Sequence, residues 1–426
     1  MSSPDHDQDQ VENPNQVQIG GAKRQQKIKN KMNKINKKET LNSFEFFSQG
    51  SYGCVSYPRI RCNNGRKDKR NKTKISKISL NNFYTENEYR IGNLLKNIKK
   101  RTTSKEEKEI LNHFNYVDSR CDVQKSKLRI DESKHECKVL EKGSHKSSIV
   151  LMQSKYIESK EISEVLNDHF NIKTIIRFYY FMLNSMKVLH SHNIIHHDMH
   201  LGNVLVDTSD DFHLIDFGIA IHVSSFYRTS SKRELNHKYM KSILLSYDPQ
   251  WKFWSLEYHI LTFLVFKERI PNTKDIVNIV DSYFRNETAH LFETYFGNIQ
   301  KYKEKCISFL VSKYTSSNKT IDEYCEEIIT RSSHTWDIYQ VNFILLMILK
   351  NSDLQETDGL IDLLKTGLHY DYMRRYNSVY YLTELIELIK NHKSLDINMF
   401  QANKTRQMKL DKEDILLLSK TPKIMI

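Results

Sequence analysis

Glycine and proline are scarce in this chain of 426 residues, at 12 and 6. That excludes a collagen-like or low-complexity linker protein. Long apolar runs are missing too. Runs such as Leu261 to Phe266 and Phe343 to Leu349 stop well short of the roughly 20 residues a membrane span needs. No span is therefore expected. The opening MSSPDHDQDQ is polar and acidic, which does not read as a secretory signal. None of the six cysteines (Cys54, Cys62, Cys121, Cys137, Cys306, Cys325) falls in a C-x-x-C pair. They read as reduced thiols in a cytosol-like, cytoplasmic compartment, with neither a zinc knuckle nor a disulfide framework. What is present excludes a disordered chain: 39 % of residues are hydrophobic and 27 % charged, enough for one large domain or two.

The net charge of +13 would suit a polyanionic partner. Its distribution is more telling. Residues 23–38 hold eight Lys or Arg and no acid, and residues 59–76 hold eight with Asp68 alone opposing them. These two stretches carry the whole excess. Either run serves as a solvated stretch or a tether for an acidic partner. Neither interleaves aromatics, so a stacking platform for nucleic acid is not expected.

Residues 1–40 have no sustained apolar period and read as a disordered basic tail. From residue 41, QGSYGCVSY and KISKISL read as strands, and NEYRIGNLLKNI as a helix. Residues 147–157 read as a buried strand. Residues 41–157 thus form a small β-rich part. In the second part, 158–395, Ile175, Tyr179, Met182, Met186 and Leu189 make one helical stripe. VLV and FHLI are short strands bracketing TSDD, and the remainder is helical. Residues 396–426 form a C-terminal tail. The class is α+β, with two lobes and a cleft expected between them.

The densest chemistry lies in IIHHDMHLGNVLVDTSDDFHLIDFGIA, residues 194–220. Asp198 and Asn203 share a loop after a helix, and Asp216 ends a strand before Phe217-Gly218. Two acids and an amide on adjacent loops suit a hard cation that keeps positions for water and phosphate oxygens. Asp198 is then free to orient an attacking hydroxyl.

This H-x-D-x-x-x-x-N and D-F-G arrangement resembles the protein kinases. Other segments join it in order. Gly50, Ser51, Tyr52, Gly53 and Val55 match a G-x-G-x-x-G-x-V loop with serine in its first position. Lys77 resembles the third-strand lysine, with Lys74 as its rival, and Glu88 the helix glutamate, with Glu86 as runner-up. WSLE is similar to A-P-E, with Glu257 as its acid. WDIYQV is similar to the start of the central helix, with Asp337 as its anchor. DYMRR is similar to D-P-x-x-R, so Arg375 would pair with Glu257.

The resemblance implies a bilobal fold, ATP and Mg2+ as cofactors, and phosphoryl transfer to a serine or threonine hydroxyl of a protein. It implies Asp198 as catalytic base, His196 as the histidine of H-R-D, Asn203 and Asp216 as metal ligands, and Lys77 held by Glu88 on the phosphates. His197 stands where most regulated kinases have arginine, so activation-loop phosphorylation is not expected to be required. His200 replaces the lysine two after the catalytic aspartate. Glu257 and Asp337 stand 80 residues apart, so 258–330 reads as a large, mostly helical insertion. Together with the H-H-D-M-H-L-G-N loop, that insertion is most like the serine/threonine kinases of large DNA viruses, which would place the chain in host cytoplasm or virion. Two other readings stay open: a small-molecule phosphotransferase, which shares D-x-H-x-G-N, and a pseudokinase scaffold.

Overall fold

A computed structural model describes residues 45–50, 53–60, 62, 71–124, 137, 148–168, 171–228, 234–315, 318–352, 354 and 357–391. The two expected tails, Ser51, Tyr52 and residues 63–70 of the basic segment lie outside them. The chain divides into two compact units: residues up to Leu80 with Cys121–Tyr156, and Asn81–Arg120 with 157–426.

Along the first part run β1 (Glu45–Gly50), β2 (Gly53–Tyr57), β3 (Lys74–Leu80), α1 (Phe83–Arg101), α2 (Lys105–Asn112), β4 (Phe114–Asn115), β5 (Ser119–Gln124) and β6 (Ser148–Lys155). One five-stranded sheet has the order β1-β2-β3-β6-β5. The β2–β3 and β3–β6 pairs are antiparallel, with Val55 opposite Lys77 and Lys77 opposite Met152. Gly53 has a reason within this sheet: a Cβ there would lie 2.5 Å from the Ile78 carbonyl oxygen.

The sheet's apolar cluster is small. It contains Cys54, Ile78, Val123, Cys137, Ile149 and Leu151, with Ile60 and Cys121 against it. Two disulfides cross it, Cys54–Cys137 and Cys62–Cys121, with Cα atoms 5.9 and 6.0 Å apart. This corrects the expectation of reduced thiols without a disulfide framework. The reading looked for local spacing, whereas these partners lie 83 and 59 residues apart in sequence and only strand pairing brings them together. The argument for a reducing, cytosol-like compartment loses its premise with them. Cys306 and Cys325 are free and buried.

The second part continues with β7 (Ser159–Glu161), α3 (Ile162–Asp168), α4 (Ile172–Ser191), β8 (Ile194–Ile195), β9 (Val204–Asp207), β10 (Phe212–Ile215), β11 (Ile221–His222), α5 (His237–Ile243), α6 (Leu256–Lys267), α7 (Thr273–Tyr283), α8 (Asn286–Phe296), α9 (Ile299–Tyr314), α10 (Ile321–Ser332), α11 (Trp336–Lys350), α12 (Asp358–Thr366) and α13 (Ser378–Asn391). The expected stripe from Ile175 to Leu189 lies on α4 and is buried. VLV and FHLI fall in β9 and β10, which pair antiparallel. α7 to α10 occupy the stretch read as a helical insertion. Helices from α1 to α13 share one apolar core, from Ile91 to Ile389.

α1 shows how the sequence sets a helix that carries site residues. Asn82 caps it: its side chain accepts from the Thr85 amide at 3.0 Å, and the Thr85 hydroxyl accepts from the Asn82 amide at 3.1 Å. Lys99, Lys100 and Arg101 complement the dipole in its last turn. Ile91, Leu95 and Ile98 recur on one buried face. Gly92 lets that face approach the next segment, since a Cβ would lie 2.2 Å from the Val117 carbonyl oxygen.

Candidate active site

The loop between β8 and β9 carries His196 to Asn203, and its backbone is held from one turn of α11. Asp337 accepts the His196 amide at 2.9 Å and the His197 amide at 2.7 Å. His190 Nε2 lies 3.2 Å from the same carboxylate. Three residues on, Gln340 accepts the Met199 amide at 2.8 Å, and its Nε2 donates to the His197 carbonyl at 2.9 Å. Asp337 is fully buried. Burial would raise its carboxyl, but His190 and the backbone donors outweigh that and hold it below the usual carboxylate range.

Held this way, the loop presents Asp198 half-buried. Burial pushes its carboxyl up, while His200, His196 and Asn203 outweigh it and keep the pKa below normal. Asp198 is thus a carboxylate acceptor at neutral pH. Asn203 Nδ2 donates to the Asp198 carbonyl and to its carboxylate, each at 2.9 Å. That commits the amide nitrogen and leaves Oδ1 as the group's acceptor. His200 Nδ1 accepts from the Gly202 amide at 3.1 Å, and Nε2 lies 3.5 Å from Asp198 Oδ1. Burial works against the His200 proton; Asp198 and then Asp216 more than offset it, and the imidazole pKa is raised.

His196 and His197 are interior groups. His196 Nε2 donates to the Ile215 carbonyl at 3.1 Å, and its ring meets the Phe217 ring edge-on at 4.8 Å. It therefore fixes the approach to Asp216. His197 stacks on Trp254 at 5.4 Å, and its Nε2 donates to the Tyr258 hydroxyl at 2.8 Å. That hydroxyl donates to the Leu244 carbonyl. Burial lowers the His197 pKa to about 4, so the ring is neutral where a regulated kinase would hold a charged arginine.

Asp216 takes a left-handed backbone with φ of 61°, an uncommon conformation for a non-glycine residue. Its Oδ1 accepts the Gly218 amide at 3.2 Å. A Cβ on Gly218 would lie 3.1 Å from that oxygen and 3.7 Å from Glu88 Oε2, so Glu88 and Asp216 flank the glycine. Glu88 is buried on α1. Lys77 is half-buried on β3, Val55 sits opposite it on β2, and Gly50 pairs with Gly53 at the turn end of β1–β2.

Glu257 and Arg375 form a bidentate pair, with distances of 2.7 and 3.0 Å. Both side chains are buried. Arg375 also donates to the His369 carbonyl at 2.8 Å and lies over the Tyr339 ring.

A protein kinase domain model matches residues 94–385. The chain belongs to the protein kinase family. No curated protein matches it. The kinase match begins within α1, beyond Lys77 and Glu88, and takes in the catalytic-loop, Asp216, Glu257, Asp337 and Arg375 positions. Sequence reasoning missed His190, Gln340, Tyr258 and Asn87 in this kinase. Gln340 carried a signal, standing one helical turn after Asp337. Asn87 carried none beyond its place beside Glu88.

The donor set fits the cation that the family uses. Asn203 Oδ1 and the Asp216 carboxylate are hard oxygens, which suit Mg2+ with its remaining positions for water and phosphate. Among the described residues no cluster of three or more His, Cys, Asp or Glu is disposed to hold a metal ion, and none of their helices is long and apolar enough to cross a membrane.

Proposed function

We propose that the chain is an ATP-dependent serine/threonine protein kinase. The Glu257–Arg375 pair carries this reading. Two motif residues 118 apart in sequence meet as a buried, bidentate ion pair, as the A-P-E and D-P-x-x-R resemblance requires. A phosphotransferase for small molecules has no need of that anchor beneath a protein-docking segment.

Asp198 accepts the proton of the substrate hydroxyl as it attacks the γ-phosphorus. Its lowered pKa keeps it unprotonated, and the Asn203 amide fixes its rotamer. Asn203 and Asp216 would hold Mg2+, which would supply charge neutralisation at the phosphates. By the kinase resemblance, Lys77 with Glu88 would orient the phosphates, Gly50, Ser51, Tyr52 and Gly53 would approach them, and Val55 would cover the adenine. His196 keeps Asp216 in place through Ile215. His200 stands beside Asp198 in the place of the lysine of related enzymes; Asp198 raises its pKa, and protonation there would supply the same positive charge at the expense of the Gly202 amide bond. Most of the rate then comes from positioning and charge neutralisation.

The α7–α10 insertion and the H-H-D-M-H-L-G-N loop also support the narrower likeness to kinases of large DNA viruses. The basic run 23–38 supports an acidic partner. The D-x-H-x-G-N spacing of Asp198, His200 and Asn203 favours a second reading, a small-molecule phosphotransferase.

Transfer of label from γ-labelled ATP to protein substrates and to small hydroxyl compounds separates the two. Label is expected on protein serine and threonine, falling by about 10²–10⁴-fold in Asp198→Asn. Label on small compounds alone would establish the second reading. Turnover unchanged in both Asp198→Asn and Asp216→Ala would remove the chemistry from this site. In the same assay His200→Lys is expected to keep or raise turnover near neutral pH; a loss beyond about a hundredfold would assign the imidazole a task lysine cannot perform.

A further inference from the structure

Asn87 is 2 % exposed in the second turn of α1, one residue before Glu88. Its Nδ2 donates to the Gly218 carbonyl at 3.0 Å and to the Ala220 carbonyl at 2.8 Å. Its Oδ1 accepts from Arg90 Nη2 at 2.8 Å. The orientation of the amide follows from its partners, because only the nitrogen can serve two carbonyls and only the oxygen can accept from a guanidinium. Arg90 goes on to the Ser225 hydroxyl at 2.9 Å and the Tyr239 hydroxyl at 3.1 Å. One side chain of α1 thus grips the backbone on the far side of Asp216.

Asp216 needs such a grip. Its left-handed φ is unfavourable for a residue with a Cβ, so neighbours must enforce it. On the upstream side, His196 holds the Ile215 carbonyl. Phe217 is fully buried. On the downstream side, Asn87 holds the carbonyls of Gly218 and Ala220. The same amide also fixes the rotation of α1, which presents Glu88 to Gly218.

We infer that Asn87 is a positioning residue for Asp216, setting the carboxylate that holds the cation while locking the α1 register that presents Glu88. The inference rests on the phosphotransfer reading above. Oxygen-for-nitrogen replacement isolates the effect. Asn87→Asp keeps the acceptor toward Arg90, removes both donors and turns a carboxylate against two carbonyls. Asn87→Leu keeps the volume and removes all three bonds.

The test measures turnover of the full chain against Mg2+ concentration, with amide hydrogen exchange of 217–221 in protein free of metal and nucleotide. Both variants are expected to lose about 10–100-fold in kcat or apparent Mg2+ affinity, as outer partners of metal ligands do. KM for the protein substrate should stay within about threefold. Exchange at 217–221 should quicken in the metal-free protein. A fall in kcat with unchanged Mg2+ requirement and unchanged exchange would overturn the assignment and leave Asn87 as packing. If both variants fail to fold, Arg90→Met serves instead, since Arg90 is exposed. It should raise the Mg2+ requirement about two- to threefold by freeing Oδ1, and no change would overturn the proposal. Asp216→Ala run in parallel distinguishes the two levels: if it keeps wild-type turnover, the phosphotransfer reading has failed, not the role of Asn87.

Discussion

The two units of this kinase hold themselves together by different means. In the first, the apolar cluster of the sheet is six buried side chains, and two of those are half-cystines bridged to each other. In the second, one core runs from Ile91 to Ile389 and needs no covalent staple among the described residues. Small cores cannot bury enough area to offset chain entropy, and cross-links compensate by restricting the unfolded state. The unit with the larger core can instead afford buried polar anchors, Asp337 under the catalytic loop and the Glu257–Arg375 pair. Those anchors set the geometry of the candidate site, at a desolvation cost that their hydrogen bonds offset.

Tryptophan offers a way to break the comparison. Trp251, Trp254 and Trp336 are the chain's three tryptophans, and all belong to the second unit. Their fluorescence reports that unit alone. The largest effect is expected from Arg375→Ala, which leaves Glu257 buried and unpaired. It should cost about 3–5 kcal/mol and move the fluorescence-monitored urea midpoint down. A fluorescence midpoint that stays put would mean the pair contributes no stability to its unit.

Removing the buried bridge with Cys54→Ala and Cys137→Ala together should cost about 2–5 kcal/mol. The loss should show as faster amide exchange in β2, β3 and β6, with the fluorescence midpoint unchanged. A thiol reductant should reproduce it in the wild type, and peptide mapping without reductant should recover Cys54 linked to Cys137. A parallel shift in fluorescence would show that the units unfold as one.

Acid should act on the second unit in a window set by its histidines. Burial lowers His197 to about 4 and His259 to about 3, from an unfolded value near 6.5. Between those limits the unfolded chain binds protons that the folded one refuses. Stability is therefore full above about pH 6.5 and declines as the pH falls, by about 1.4 kcal/mol per pH unit for each histidine. Fluorescence-monitored midpoints from pH 7 to 4 check this, and a flat profile would mean that the rings are protonated in place. The smallest effect is expected from Asn82→Ala, which removes the cap of α1 and should cost about 1 kcal/mol, read as faster exchange in its first turn.

The sequence made the site's skeleton legible because its parts are local motifs in a fixed order. Asp198, Asn203 and Asp216 stand within one short stretch, and Glu257, Asp337 and Arg375 each sit in a short pattern that says little alone but follows the others in the expected order. An element with a clear period, such as α4, was legible for the same reason, whereas α7 to α10 were foreseen only as a helical insertion with no individual bounds. What stayed hidden depends on tertiary pairing. Cys54 meets Cys137, and Cys62 meets Cys121, only because strands distant in sequence become neighbours. Asn87 looks like any polar helix residue until two carbonyls 131 and 133 positions away turn toward it. Tyr258 carries no signal in the sequence, and its hydroxyl matters only because His197 Nε2 donates to it.

The long reach of the anchors also sets an order of events during synthesis. The His196 and His197 amides wait for a carboxylate 141 and 140 residues further along the chain, and Glu257 waits 118 residues for its arginine. When the catalytic loop leaves the ribosome, the groups that hold it have not been made. The loop must remain provisional until α11 arrives, and the segment at Glu257 until Arg375 does. Contacts of such range slow folding and prolong exposure of apolar helices. A nascent chain stalled before residue 337 would display Asp198 and Asp216 together without the geometry that makes them useful.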